Sequence, residues 1–347
     1  MTEIIKPPKL HPGDTIAVLS PSWGGPGVFP HIFENGLKNL QSLGFRVKEF
    51  PTTRADPQYL YGHPRERSAD VNAAFADAEV QGIITSIGGD DSVRILPFLD
   101  PGAIRRNPKL LMGYSDGHIL TTFCRKLGLV TFAGPSIMAG FSQMEAVEAG
   151  FRRHLLDFLL GDNPAYEYAA YGTYFNEYPD WGYPENTGKV GEARKNTGWR
   201  WLQGSGAVQG ELFGGNIEVL EFMKGTDYWF PKEFWNGKIL FFETSEDKPT
   251  VSQVRYMLRN YGTQGALERA RAVLFGRPKD YSEAEKAALD AVLTEVIGFE
   301  FGRPDMPVVS NMDFGHTDPQ WIVPLGVQAE VDGAGRSFRL LESPFRE

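Results

Sequence analysis

The sequence contains a single cysteine, Cys124, so no intramolecular disulfide and no cysteine-based metal site can form. No apolar stretch reaches the ~18 residues that a membrane helix requires. The N-terminal residues, Met1 to Pro8, lack the apolar centre of a secretory signal, which makes the cytoplasm the expected location. Basic residues form no block, and 35 Lys and Arg are outnumbered by 44 Asp and Glu, for a formal charge of −9. Nucleic-acid binding needs clustered cations to displace counterions, and an acidic balance disfavours anionic membranes. Neither partner is expected. Internal repeats and low-complexity tracts are also missing. No His, Asp and Glu cluster shows metal-ligand spacing, and no cofactor is expected.

What is present is ordinary globular composition, 41% hydrophobic and 23% charged, over 347 residues. That length suits one large domain or two medium ones. In the first half, short apolar runs alternate with amphipathic stretches. Thr15–Ser20, Phe45–Phe50, Gly82–Ile87, Lys109–Tyr114 and Val130–Ala133 read as strands. Residues 31–43, 64–80 and 118–127 read as helices. This alternation predicts a parallel sheet covered on both faces, with ligands bound beyond the carboxyl ends of its strands. The loops Ser20–Gly27, Gly88–Ser92 and Ser115–Gly117 would meet there.

From about 163 to 204 no period emerges, and tyrosines and tryptophans crowd the segment. It reads as a linker that doubles as a loop over a cleft. The last part predicts a mixed α/β domain. Its strands are Lys238–Phe242, Ala272–Phe275 and Pro307–Ser310, with helices over 250–261 and 282–297 and a hairpin turned at Asp332-Gly333. The expected units are 1–162, 163–204 and 205–347.

Gly113-Tyr114-Ser115-Asp116-Gly117 fits G-x-S-x-G, in which a strained strand-to-helix turn exposes a serine hydroxyl. Ser115 is therefore a candidate nucleophile; the bland reading is a tight turn in which it caps the next helix. A serine needs a base. His118 sits on the same helix and reads as structural or rim, whereas His316 follows a strand in a Gly- and Asp-bearing loop, a place either for a base or for an ordinary surface histidine. Glu243 ends the strand Lys238–Phe242, where a carboxylate is either a loop-start group or a buried partner for the imidazole. The order Ser, Glu, His matches α/β-hydrolase triads. The backbone amides of Gly89 and Asp116 could bind an oxyanion, or Gly88-Gly89 could be only a glycine-rich turn. Gly24-Gly25-x-Gly27 is not a dinucleotide fingerprint.

Taken together, Gly113-Tyr114-Ser115-Asp116, Phe213-Gly214-Gly215-Asn216, Phe242-Glu243-Thr244-Ser245-Glu246 and Asp313-Phe314-Gly315-His316-Thr317 resemble the LD-carboxypeptidase family of serine peptidases. Pro12 to Ala17 and Ser86 to Gly89 fit as well, so the likeness runs from about 8 to 343. Lys248-Pro249 after the glutamate and the tryptophan-bearing middle loop are similar to the microcin C immunity branch. The resemblance implies a triad of Ser115, Glu243 and His316. It implies an N-terminal α/β domain like class I glutamine amidotransferases (flavodoxin-like), a swivelling β/β/α C-terminal domain and a homodimer. It further implies that Trp181 stacks on a substrate nucleobase, with packing of the loop onto the core as the other reading. Asn216 and Lys248 are implied to touch substrate, although Asn216 could equally fix a turn. The expected activity is hydrolysis of the amide bond of a peptidyl- or aminoacyl-nucleotide. Cleavage of murein tetrapeptide and non-catalytic small-molecule binding are the alternatives.

Overall fold

The computed structural model describes residues 3–161 and 165–347. Apolar runs bounded by turn residues become strands whose side chains are buried on both faces, as parallel sheets require. The first sheet has six strands, in the order Val323–Leu325, Thr131–Ala133, Leu110–Gly113, Val80–Thr85, Thr15–Leu19 and Arg46–Glu49. All neighbours are parallel except Val323–Leu325, which runs antiparallel to Thr131–Ala133. The helix Pro30–Ser42 buries Ile32, Phe33, Leu37 and Leu40, one face at helical spacing. Pro64–Ala76 likewise buries Val71, Ala74 and Phe75.

The second sheet has seven strands, in the order Ser337–Leu340, Gln328–Asp332, Ala207–Asn216, Lys238–Glu243, Ala272–Gly276, Val308–Met312 and Arg200–Gln203. Its four central strands from Ala207–Asn216 to Val308–Met312 are parallel, and the outer ones are antiparallel. Capping boxes start its two longer helices, Thr250 with Gln253 and Ser282 with Glu285, satisfying amides the first turn leaves free. The hairpin at Asp332-Gly333 forms as expected. The α/β architecture expected for both parts is found.

Two strands cross the boundaries expected from the sequence. Val323–Leu325 closes the edge of the first sheet although it lies far along the second part. Arg200–Gln203, expected in the loop, pairs with Val308–Met312. The expected division at 162/163 falls outside the described residues. Among the described residues no helix is long and apolar enough to cross a membrane.

Candidate active site

The strand Leu110–Gly113 and the helix Gly117–Lys126 are joined by three residues, and the middle one, Ser115, has φ of +54°. A non-glycine residue in the left-handed region is strained, and such strain gathers at functional sites. Asp116 anchors this elbow from beneath. Its buried carboxylate accepts from Ser22 Oγ at 2.5 Å and from the Ser92 amide at 2.8 Å, tying two other loops to the turn. Burial pushes the Asp116 carboxyl up, against those hydrogen bonds. The amides of Gly89 and Asp116 donate to no other described residue.

Ser115 opens into a cavity of about 250 Å³, lined also by Trp23, Gly89, Tyr178, Trp181, Glu246 and His316 among others. A larger depression of about 480 Å³, near Ile4 and Glu342, has neither serine nor histidine in its lining and so offers no nucleophile or base.

His316 and Glu243 come from different strands of the second sheet. Glu243 ends Lys238–Glu243, and His316 lies four residues past Val308–Met312. His316 Nδ1 donates to Glu243 Oε2 at 2.6 Å, and both side chains are 2% exposed. Gly315, at φ +101°, makes this approach possible: a Cβ there would come within 2.7 Å of Glu243 Cβ. The loop is held from behind by Asp313, which accepts from Arg277 at 2.7 Å and from Trp199 Nε1 at 3.0 Å. Arg277 and Asp313 are both fully buried, and removing either partner of such a pair costs about 3–5 kcal/mol.

The second ring nitrogen, His316 Nε2, lies 3.1 Å from Glu246 Oε2. Burial alone would lower the His316 pKa, but the charges and hydrogen bonds of Glu243 and Glu246 outweigh it and push it up to about 10. Glu246 is correspondingly held down to about 2, chiefly by its hydrogen bond to His316. Both carboxylates favour the charged form of the imidazole.

His118 is buried beneath the pair and does not reach the rim. The Asn216 amide donates to its Nδ1 at 3.1 Å, and burial pulls its pKa down to about 4. Asn216 itself is fully buried; its Oδ1 caps the helix Ile217–Glu221 through the Val219 amide. Trp181 lines the cavity, stacks on Tyr178 at 5.6 Å, and meets Phe29 edge-on at 5.8 Å. Lys248 is turned onto Glu285, 3.1 Å away, and is not part of the cavity lining. Lys279 is the lysine in that lining.

The structure thus gathers Ser115, Gly89, Trp181 and His316 around one cavity, with Glu243 behind His316. Asn216 and Lys248 stand apart from it. Sequence reasoning assigns no role to Trp23, Lys279 or Glu246, all of which line the cavity. Lys279 follows the strand Ala272–Gly276, so the rule that ligands gather beyond strand ends could have flagged it.

Comparison with known proteins points the same way. Residues 16–134 match the LD-carboxypeptidase N-terminal domain, and residues 209–331 match the LD-carboxypeptidase C-terminal domain. The microcin C7 self-immunity protein MccF of Escherichia coli is 29% identical over 337 residues, covering 95% of this chain and 94% of the relative. The probable murein peptide carboxypeptidase of Bacillus subtilis (strain 168) is 29% identical over 336 residues, covering 96% and 93%. An MccF-like protein from Streptococcus pneumoniae, solved in complex with AMP, superposes with a TM-score of 0.84 at 27% identity, covering 94% of this chain and 98% of that one. MccF in complex with aspartyl sulfamoyl adenosine gives 0.84 at 26% identity, covering 99% and 100%. The chain belongs to the LD-carboxypeptidase family of serine carboxypeptidase-like hydrolases.

Proposed function

We propose that this protein hydrolyses the amide bond of aminoacyl- or peptidyl-nucleotide compounds, with Ser115 as nucleophile, His316 as base and Glu243 as the group that orients it. The single observation that carries the reading is the buried His316–Glu243 hydrogen bond on the wall of the cavity into which the strained Ser115 opens. A carboxylate on Nδ1 fixes the tautomer that leaves Nε2 free to accept a proton.

In this mechanism His316 Nε2 leaves Glu246 and takes the proton of Ser115 Oγ as the oxygen bonds to the scissile carbonyl carbon. The Gly89 and Asp116 amides receive the oxyanion. The C–N bond then breaks, and His316 returns its proton to the leaving nitrogen. Water, deprotonated by the same imidazole, attacks the acyl ester on Ser115; the C–Oγ bond breaks, His316 returns the proton to Oγ, and a carboxylic acid is released. Before Ser115 attacks, Glu246 is displaced and the Nε2 proton passes to solvent, because a cationic imidazole accepts no proton.

The nucleotide half of the substrate is assigned to the aromatic side of the cavity, with Trp181 as the stacking surface. The MccF-like protein solved with AMP and MccF solved with aspartyl sulfamoyl adenosine support a substrate with a nucleotide half. Asn216 and Lys248 remain proposed contacts; Lys248 would have to leave Glu285 to take part, whereas Lys279 already faces the ligand space. The reading keeps a cytoplasmic homodimer, as the resemblance implies. A murein tetrapeptide is the second substrate reading, favoured by the equal identity to the murein peptide carboxypeptidase.

Incubating the protein with aspartyl sulfamoyl adenosine and with murein tetrapeptide, followed by mass spectrometry, tests this. Release of aspartate from the nucleotide supports the first reading. Release of D-alanine alone moves the assignment to murein, and no cleavage of either overturns both.

A further inference from the structure

Beside Glu243 lies a second and much smaller cavity of about 10 Å³. Tyr114, His118, Glu243, Gln320 and the backbone near Gly315 line it. Two buried polar atoms of these lining residues have no hydrogen-bond partner among the described residues: Nε2 of His118 and Oε1 of Glu243. Their chemistry is complementary. The Asn216 amide donates to His118 Nδ1 at 3.1 Å; the Ser115 carbonyl is equally near that nitrogen but already accepts from the His118 amide at 2.9 Å, so Nδ1 is assigned as the acceptor and the ring proton to Nε2. His118 therefore has a donor to spare. Glu243 spends Oε2 on His316 and has an acceptor to spare. The nearest direct approach of the two side chains, His118 Nδ1 to Glu243 Oε1, is 4.0 Å, too long for a hydrogen bond and at the wrong nitrogen.

We propose that one ordered water occupies this cavity, accepts from His118 Nε2 and donates to Glu243 Oε1, making His118 a positioning residue for the Glu243–His316 pair. A space of this size holds about one water, which needs two to four polar partners. His118 and Glu243 supply two, and Tyr114 and Gln320 supply further polar atoms in the lining. The ring is held for this task. Gly215, at φ +148°, lies so close that a Cβ there would come within 2.7 Å of His118 Cδ2. Burial keeps His118 neutral, which preserves the tautomer that donates from Nε2. Without the water, Glu243 can rotate about its side-chain bonds, and the imidazole it steers loses its fixed direction.

The inference rests on the proposed role of Glu243, and the test separates the two. His118→Leu removes the donor at similar volume; His118→Gln keeps both an acceptor and a donor. The expected result for His118→Leu is a kcat lower by about 10- to 100-fold, the range seen when a group that orients a ligand from behind is lost, with KM unchanged. Its low-field proton resonance from His316 Nδ1–H should shift or broaden. His118→Gln should recover most of the kcat. If Ser115→Ala abolishes turnover while His118→Leu leaves kcat and the resonance as in wild type, this inference fails and the catalytic reading stands. If Ser115→Ala keeps full activity, the catalytic reading has failed instead. Should His118→Leu not fold, a high-resolution crystal structure of the wild type decides. Density within hydrogen-bond distance of both orphaned atoms supports the proposal, and a dry cavity overturns it.

Discussion

The Nε2 atom of His316 lies 3.1 Å from the Glu246 carboxylate, on the nitrogen that the proposed mechanism needs for Ser115. Glu246 is more than half exposed at 60%, so an incoming substrate can displace it toward solvent.

This arrangement sets a pH dependence. His316 is raised to about 10 by Glu243 and Glu246 against burial, and its neutral form is the base. The acidic limb of kcat/KM in the free enzyme should therefore lie well above the ordinary histidine value of about 6.5. Glu246→Gln removes one of the two charges that favour the cation, so the limb should move to lower pH and activity near pH 7 should rise. A pH–rate profile of the variant checks this. A limb that stays in place would mean that Glu246 does not hold the resting imidazole.

The same shift has a consequence for stability. A group whose folded pKa lies above its unfolded one stabilises the fold below the unfolded value and loses that contribution as pH rises through the folded value. His316 should thus contribute below about pH 6.5 and fade as the pH climbs toward about 10. His154 has the opposite sign. Its Nε2 accepts from the Ile322 amide at 2.8 Å, and burial pulls it down to about 3. Below about pH 6.5 the unfolded chain gains a proton that the folded one refuses, at up to about 1.4 kcal/mol per pH unit. Urea unfolding of His154→Gln between pH 4 and 7 should show a flatter slope than wild type by one proton. An unchanged slope would contradict the buried neutral state.

Glu243→Gln keeps the shape of the pair but lets the imidazole adopt the wrong tautomer. Loss of the equivalent carboxylate in a serine triad lowers kcat by about 10⁴. A comparable fall is expected here, with ligand affinity retained in calorimetry. A fall of less than tenfold would remove Glu243 from the chemistry.

Trp181 separates the two substrate readings. Stacking of a base on an aromatic ring is worth about 1–3 kcal/mol. Trp181→Ala should therefore weaken an aminoacyl sulfamoyl adenosine by about 5- to 150-fold in KM, with kcat little changed, and leave a murein tetrapeptide unaffected. Equal effects on both would make Trp181 a packing residue for the loop.

Much of this architecture was readable from local pattern. Thr15–Leu19, Leu110–Gly113 and Lys238–Glu243 announce themselves as short apolar runs stopped by turn residues. The elbow at Ser115 could be read because strand, tight turn and helix are consecutive. His316 and Glu243 lie 73 residues apart, and their pairing is set by neighbouring strand ends in the second sheet, so the residues alone left it open. The resemblance, not the spacing, joined them. The strand Val323–Leu325 was not anticipated, because an edge strand that joins a distant sheet leaves little local signature. Glu246 and Lys279 were passed over for a related reason: charged residues just past a strand end look like solvent-facing loop groups until the loops around them close a cavity.

The central claim is that Ser115, His316 and Glu243 act as one unit on a scissile amide, and groups that act as a unit are strongly non-additive. The decisive measurement is kcat for Ser115→Ala, His316→Ala and the double variant on the same aminoacyl sulfamoyl adenosine. The account predicts a loss of at least about 10³-fold in each single variant and no further loss in the double. Multiplying losses, or substantial turnover without the Ser115 hydroxyl, would contradict it.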